Sequence, residues 1–224
     1  MNFRIIATAL AFYCSPAGAQ DQRTVDCHFL CFQRDGENTA KLSVRQKDDQ
    51  VVTCPLPLEL VSKGFPLIPN RGVIDFIKGL DDKVPAARAR IPADVKKALI
   101  VFIAAPLEKA PLRYDTFVLD FSSKGFPKDG SMVVNLYAGD IRVSIGEHRA
   151  QIKPGKTAGF ERPEKRNDFN MSGVRIEFQE LAMWNEVTDT TGRFPSGQQQ
   201  LFFAFWDPRN QSPSCRSFLI SSDM

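Results

Sequence analysis

The chain has 224 residues, with 29 Lys and Arg against 26 Asp and Glu and a formal net charge of +3. The two signs are interspersed, and even the densest basic stretch, Lys153 to Arg166, carries Glu161 and Glu164 inside it. A nucleic-acid partner, which needs an uncompensated basic face, is excluded on that ground.

Met1 to Ala19 has the order of a secretory signal peptide: Arg4, an apolar core from Ile5 to Cys14, then Ala17-Gly18-Ala19 before a cleavage point at Gln20. The apolar core is far short of the about 20 residues that cross a bilayer, and no later segment reaches that length. Cys14 follows Phe12 and Tyr13, where a lipoprotein peptidase needs small residues. The expectation is an exported protein, periplasmic or extracellular, with residues 1–19 removed and no transmembrane segment.

Val25 to Gln33 is predicted as a strand. It carries Cys27 and Cys31, and Cys54 and Cys215 complete the cysteines of the mature chain. An oxidising compartment makes disulfides the expectation. Cys27 and Cys31 lie on one face of the strand about 13 Å apart, too far to bridge each other. Each can therefore reach Cys54 or Cys215, or remain a buried thiol packed as a small apolar side chain.

A phrase then occurs twice. Leu58-Glu-Leu-Val-Ser-Lys-Gly-Phe-Pro66 returns as Leu119-Asp-Phe-Ser-Ser-Lys-Gly-Phe-Pro127, identical over Ser62–Pro66 and Ser123–Pro127. Both copies lead into an apolar run, Val73 to Ile77 and Val133 to Tyr137. This predicts one strand–turn–strand unit used twice, with Phe65 and Phe126 buried and Gly64 and Gly125 in conformations that a side chain disfavours. Between the copies, Asp81 to Pro92 is rich in charge and proline and reads as a boundary.

Lys41 to Arg45, Ile141 to Ile145 and Val174 to Phe178 alternate apolar and polar residues, the pattern of strands with one wet face. Turn signals such as Lys128-Asp-Gly130, Gly146-Glu-His148 and Thr191-Gly192 separate the runs. Ala98 to Ala104 and Leu201 to Trp206 are apolar on both faces, so each lies inside the domain or at a contact between modules. The predicted fold is all-β: two packed antiparallel β-sandwich-like units related by a partial internal repeat. Residues 20–95 form the N-terminal unit and residues 96–224 the C-terminal sandwich.

Val133-Val-Asn-Leu-Tyr137, Ile141-Arg-Val-Ser-Ile-Gly146 and Ile152-Lys-Pro-Gly-Lys156 follow each other as strand with Asn, strand, Gly, strand, Pro-Gly. Over residues 114 to 162 this order resembles exported, immunoglobulin-like β-sandwich proteins of bacterial envelopes. The resemblance implies a fold and a location, and brings no activity or site residues.

Candidate chemistry is sparse. His28 and His148 are the only histidines, and neither belongs to a metal-ligand pattern, so no metal or cofactor is expected. No Gly-x-Ser-x-Gly elbow presents a nucleophile, and no catalytic residue is assigned. Trp184 and Tyr137 are the candidate binding residues, being large amphipathic aromatics suited to a sugar or a protein contact. Trp206, at the end of an apolar strand, reads as core. The functional expectation is a non-enzymatic envelope protein, a binding or scaffolding module for an envelope protein or polysaccharide. The alternative is a hydrolase acting on an envelope polysaccharide through paired carboxylates, with Asp115, Asp120 and Glu177 placed on strands.

Overall fold

The computed structural model describes residues 23–47, 50–106, 108 and 110–221; the expected signal peptide lies outside the described residues. The first half of the chain forms β1 (Val25–Gln33), β2 (Lys41–Arg45), β3 (Val51–Pro55), β4 (Phe65–Leu67), β5 (Val73–Phe76), β6 (Ala87–Arg90), β7 (Lys97–Ala104) and β8 (Tyr114–Asp120). The second half forms β9 (Ser131–Asn135), β10 (Ile141–Ile145), β11 (His148–Ile152), β12 (Thr157–Phe160), β13 (Met171–Glu180), β14 (Met183–Arg193), β15 (Gln198–Asp207) and β16 (Ser212–Ser221). No α-helix occurs among the described residues, and the fold is all-β.

These strands stack in layers. The first sheet has the order β4-β1-β7-β8-β6-β5, and the β2–β3 hairpin covers one of its faces. The second sheet runs β12-β9-β15-β16 and the third β11-β10-β13-β14. Side-chain parity dictates the stacking. On β7, Ala98, Ile100 and Phe102 enter the core under the hairpin, while Leu99 and Val101 enter a second core against the second sheet. On β15, Leu201 and Phe203 face that second core, and Phe202 and Ala204 face a third, shared with Ile141, Val143, Val174 and Ile176 of the third sheet. Both doubly apolar runs are thus central strands between two cores. Each fully buried Leu, Ile or Phe in such a layer contributes about 1.5–3 kcal/mol relative to exposure.

Several expectations are corrected. The sheets are not purely antiparallel: β1 runs parallel to β7, and β9 parallel to β15. The expected boundary at 95/96 falls inside the first sheet, because β7 and β8 return to pair with β1 and β6; the sheets divide the chain after Asp120. The stretch Asp81 to Pro92, read as a boundary, contains β6, whose Ala87 and Ala89 are fully buried.

The repeated phrase does not make a repeated structure. Ser62 is buried: its Oγ accepts the Phe29 amide at 2.9 Å, and Phe65 starts β4. Ser123 is exposed, and its segment is a turn closed by the Phe126 amide on Ser122 O at 2.9 Å. Phe126 is buried in the second core, whereas Phe65 is half-buried against Phe29. Neither glycine has positive φ; Gly125 is required by close backbone approach, whereas Gly64 meets only a side chain. A Cβ at Gly64 would fall on the Asp26 carboxylate, and one at Gly125 on the Asp120 carbonyl oxygen.

Among the described residues no disulfide forms: Cys27, Cys31, Cys54 and Cys215 are all free. Cys27 and Cys31 share a face of β1, as their spacing requires, and pack with Cys54 into the first core; Cys215 lies against the third. Burial pushes the Cys27, Cys54 and Cys215 thiols up to about 12 and the Cys31 thiol up to about 11. These are protonated, inert thiols at neutral pH.

Candidate functional site

The parallel pairs position a cleft. The carboxyl ends of β1 and β7 in the first sheet meet the carboxyl ends of β9 and β15 in the second, and between them lies a cavity of about 450 Å³. Phe32, Ile103, Leu136 and Phe205 supply its apolar wall, and Trp206, Pro208 and Arg209 its open side. Phe32 is held edge-on to Phe205 at 4.9 Å. Asp207 also lines the cleft, but its carboxylate closes the β15–β16 tip. Oδ1 accepts the Arg209 amide and Oδ2 accepts Asn210 Nδ2, each at 2.9 Å.

Trp206 is 46% exposed, which corrects its reading as core. β15 outruns the layer it helps to build: Leu201 to Ala204 are buried, while the strand continues to Asp207 beyond the cores. The indole stacks on Tyr137 with centroids 6.5 Å apart and planes inclined by 25°. Tyr137 stands edge-on to Phe178 at 5.1 Å, and its hydroxyl donates to Glu180 Oε1 at 3.4 Å. Burial, then the Glu180 charge, raises its phenol above the ordinary value.

Asn135 fixes the loop that carries Tyr137. It is fully buried, its Nδ2 donating to Gly139 O and Ile152 O and its Oδ1 accepting the Tyr137 amide, all at 2.9 Å. Every polar atom of that side chain is used, which is how a buried amide is tolerated.

Arg216 completes the wall. Nη1 donates to Phe32 O at 3.1 Å and Nη2 to Leu58 O at 2.9 Å, and the guanidinium lies 4.8 Å from the Phe218 centroid and 5.8 Å from that of Phe32. It is half-buried, and among the described residues no carboxylate pairs with it.

The two aromatics singled out from the sequence are not brought together. Tyr137 supports the cleft through Trp206. Trp184 lies on the outer face of the third sheet, across from Gln179, with the Arg142 guanidinium 3.9 Å above its ring. Beside it is a depression of about 430 Å³ with Arg142, Arg149 and Glu177. Of the strand acids, Asp120 accepts the Ser122 amide at 3.0 Å. His28 is buried and donates from Nδ1 to Ser62 O at 2.9 Å, with Asp26 3.3 Å from Nε2. His148 opens β11 next to Glu147.

Sequence reasoning missed Trp206, Phe32 and Arg216 as a group. The one local signal was Asp207-Pro208 directly after Trp206, a turn that ends the strand at the residue where it leaves the core.

No family model matches the chain, and no curated protein is significantly similar to it.

Proposed function

We propose that the protein is a non-enzymatic, exported binding module of the cell envelope that holds its ligand in the cleft between the first and second sheets. The observation that supports this most directly is Trp206. A large amphipathic side chain, held by a stack on Tyr137, stands at the mouth of a formed apolar cavity. Pockets of this size with apolar walls and a few fixed polar groups are the usual form of a small-ligand site. Envelope proteins and polysaccharides were the partner classes expected from the sequence. Phe32, Ile103, Leu136 and Phe205 favour an apolar group against the wall, with Gln33, Asp207, Arg209 and Arg216 as the polar part of the lining.

Trp184→Phe leaves Trp206 as the sole tryptophan. In that protein the neutral probe N-phenyl-1-naphthylamine should bind saturably at one site and accept energy from Trp206. Trp206→Ala, at an exposed position, should abolish binding with the fold intact. Absence of a saturable site, or binding unchanged by Trp206→Ala, overturns the reading. Export is tested separately: the mature protein recovered outside the cytoplasm should begin at Gln20.

A further inference from the structure

We infer that the cleft selects amphipathic anions, specifically a long-chain carboxylate whose tail lies on Phe32, Ile103 and Phe205 and whose head meets Arg216. The inference rests on the cleft being the ligand site and adds the chemistry of its occupant. Arg216 is the reason. A guanidinium carries five N–H donors and a permanent charge. Two of those donors are spent on backbone carbonyls, Phe32 O and Leu58 O, which fix the group in place without neutralising it. Among the described residues no carboxylate offsets this charge, and the donors left unspent suit an anion, whose charge-assisted hydrogen bonds are the strong ones.

The described acid of the cleft is not free to supply it. Asp207, the one carboxylate among the described lining residues, has both oxygens engaged by the β15–β16 tip. Glu180 accepts from Tyr137 and Asn185. Arg209, exposed at the open side, adds a second positive charge where a head group would enter. The aromatic and aliphatic wall has few acceptors for amide hydrogens, so an extended peptide would leave its backbone unpaired. A hydrocarbon tail has nothing to leave unpaired. The volume, in the lower part of the range for small-ligand pockets, suits a single chain.

Three probes of equal tail length discriminate: dodecanoate, dodecanol and dodecyltrimethylammonium, titrated below their micelle concentrations into the full mature Trp184→Phe protein, with Trp206 emission as the readout. Dodecanoate should bind at least tenfold more tightly than dodecanol, the cation should not bind, and the preference should shrink as salt is raised. Arg216→Met should bring dodecanoate to within about twofold of dodecanol. Because that variant also loses two hydrogen bonds across the sheets, Arg209→Ala provides a second test at an exposed site and should weaken dodecanoate alone. Equal binding of dodecanoate and dodecanol overturns anion selection and leaves the cleft reading standing. Binding of the neutral naphthylamine probe without either dodecyl ligand overturns the inference alone. Failure of all probes overturns both.

Discussion

Trp206 and Tyr137 form a stacked pair that belongs to two different strand ends, Tyr137 in the loop after β9 and Trp206 near the end of β15. The pair joins the open side of the cleft to the Asn135 anchor beneath it. Such ring pairs contribute about 0.5–1.5 kcal/mol beyond the area they bury.

Asn135→Ala should therefore act at two levels. It removes three hydrogen bonds, one of them to the buried Ile152 carbonyl, so urea unfolding should show a loss of about 3 kcal/mol. In the protein that still folds, Trp206 emission should shift to the red as Tyr137 loosens. Unchanged stability would show that the loop is held by something other than this side chain.

The Leu181-Ala182 turn closing β13 and β14 offers the opposite kind of test. Glu180 pairs with Met183, so the loop has two residues, and both take positive φ, 46° and 67°. That geometry suits Asn-Gly. Leu and Ala there cost about 1–2 kcal/mol each, and Leu181 is 96% exposed, recovering nothing by burial. The double change Leu181→Asn, Ala182→Gly should raise the melting temperature by about 2–4 °C for each kcal/mol regained. A lowered melting temperature would mean that the exposed leucine makes a contact in solution.

Trp184→Ala should cost about 0.5–1 kcal/mol, the value of an exposed cation–π stack, through loss of Arg142 from its ring. Naphthylamine and dodecanoate affinities, followed by probe emission and calorimetry, should not change. A loss of affinity would move the site to the outer face of the third sheet.

Alkaline stability follows from the buried acids. The ordinary thiol value of 9.0 rises to about 11 for Cys31 and about 12 for Cys27, Cys54 and Cys215, and burial takes the Tyr114 phenol from 10.0 to about 12. Each folded value lies above the unfolded one, so the folded state keeps protons that the unfolded chain releases. Stability is complete below pH 9 and falls as pH climbs toward 12. Melting temperatures measured from pH 7 to 11 should be level, then decline from pH 9. Reductant should leave them unchanged at pH 7, and a thiol reagent should find four reactive cysteines only after unfolding. A reductant-dependent melting temperature would show a disulfide in the protein.

What was legible in the sequence was what a strand decides locally. Alternation in Ile141–Ile145 announced one buried face, the doubly apolar Ala98–Ala104 announced a strand between two cores, and the spacing of Cys27 and Cys31 placed both thiols on one face. Pairing between distant strands was not legible. The contact of β1 with β7, or β9 with β15, depends on which apolar faces meet after collapse, and nothing local in Val25–Gln33 names its neighbour. The repeated Ser-Lys-Gly-Phe-Pro shows the same limit. Identical residues took different paths because one copy lies beneath Phe29 and the other bends away from the end of β8. Trp206 was misread because hydrophobicity marks what a strand can bury, and β15 is longer than the layer that buries it.

The Arg216 bonds to Phe32 O and Leu58 O run from the last strand of the chain to its first half, across the seam where the two halves meet. The cleft opens along the same seam, with Phe32 and Ile103 on one side and Leu136 and Phe205 on the other. Anything lodged there is a rivet between two plates. A ligand held only when the plates are closed adds to their cohesion in proportion to the logarithm of its concentration. The force needed to peel the halves apart would then report whether the rivet is in place.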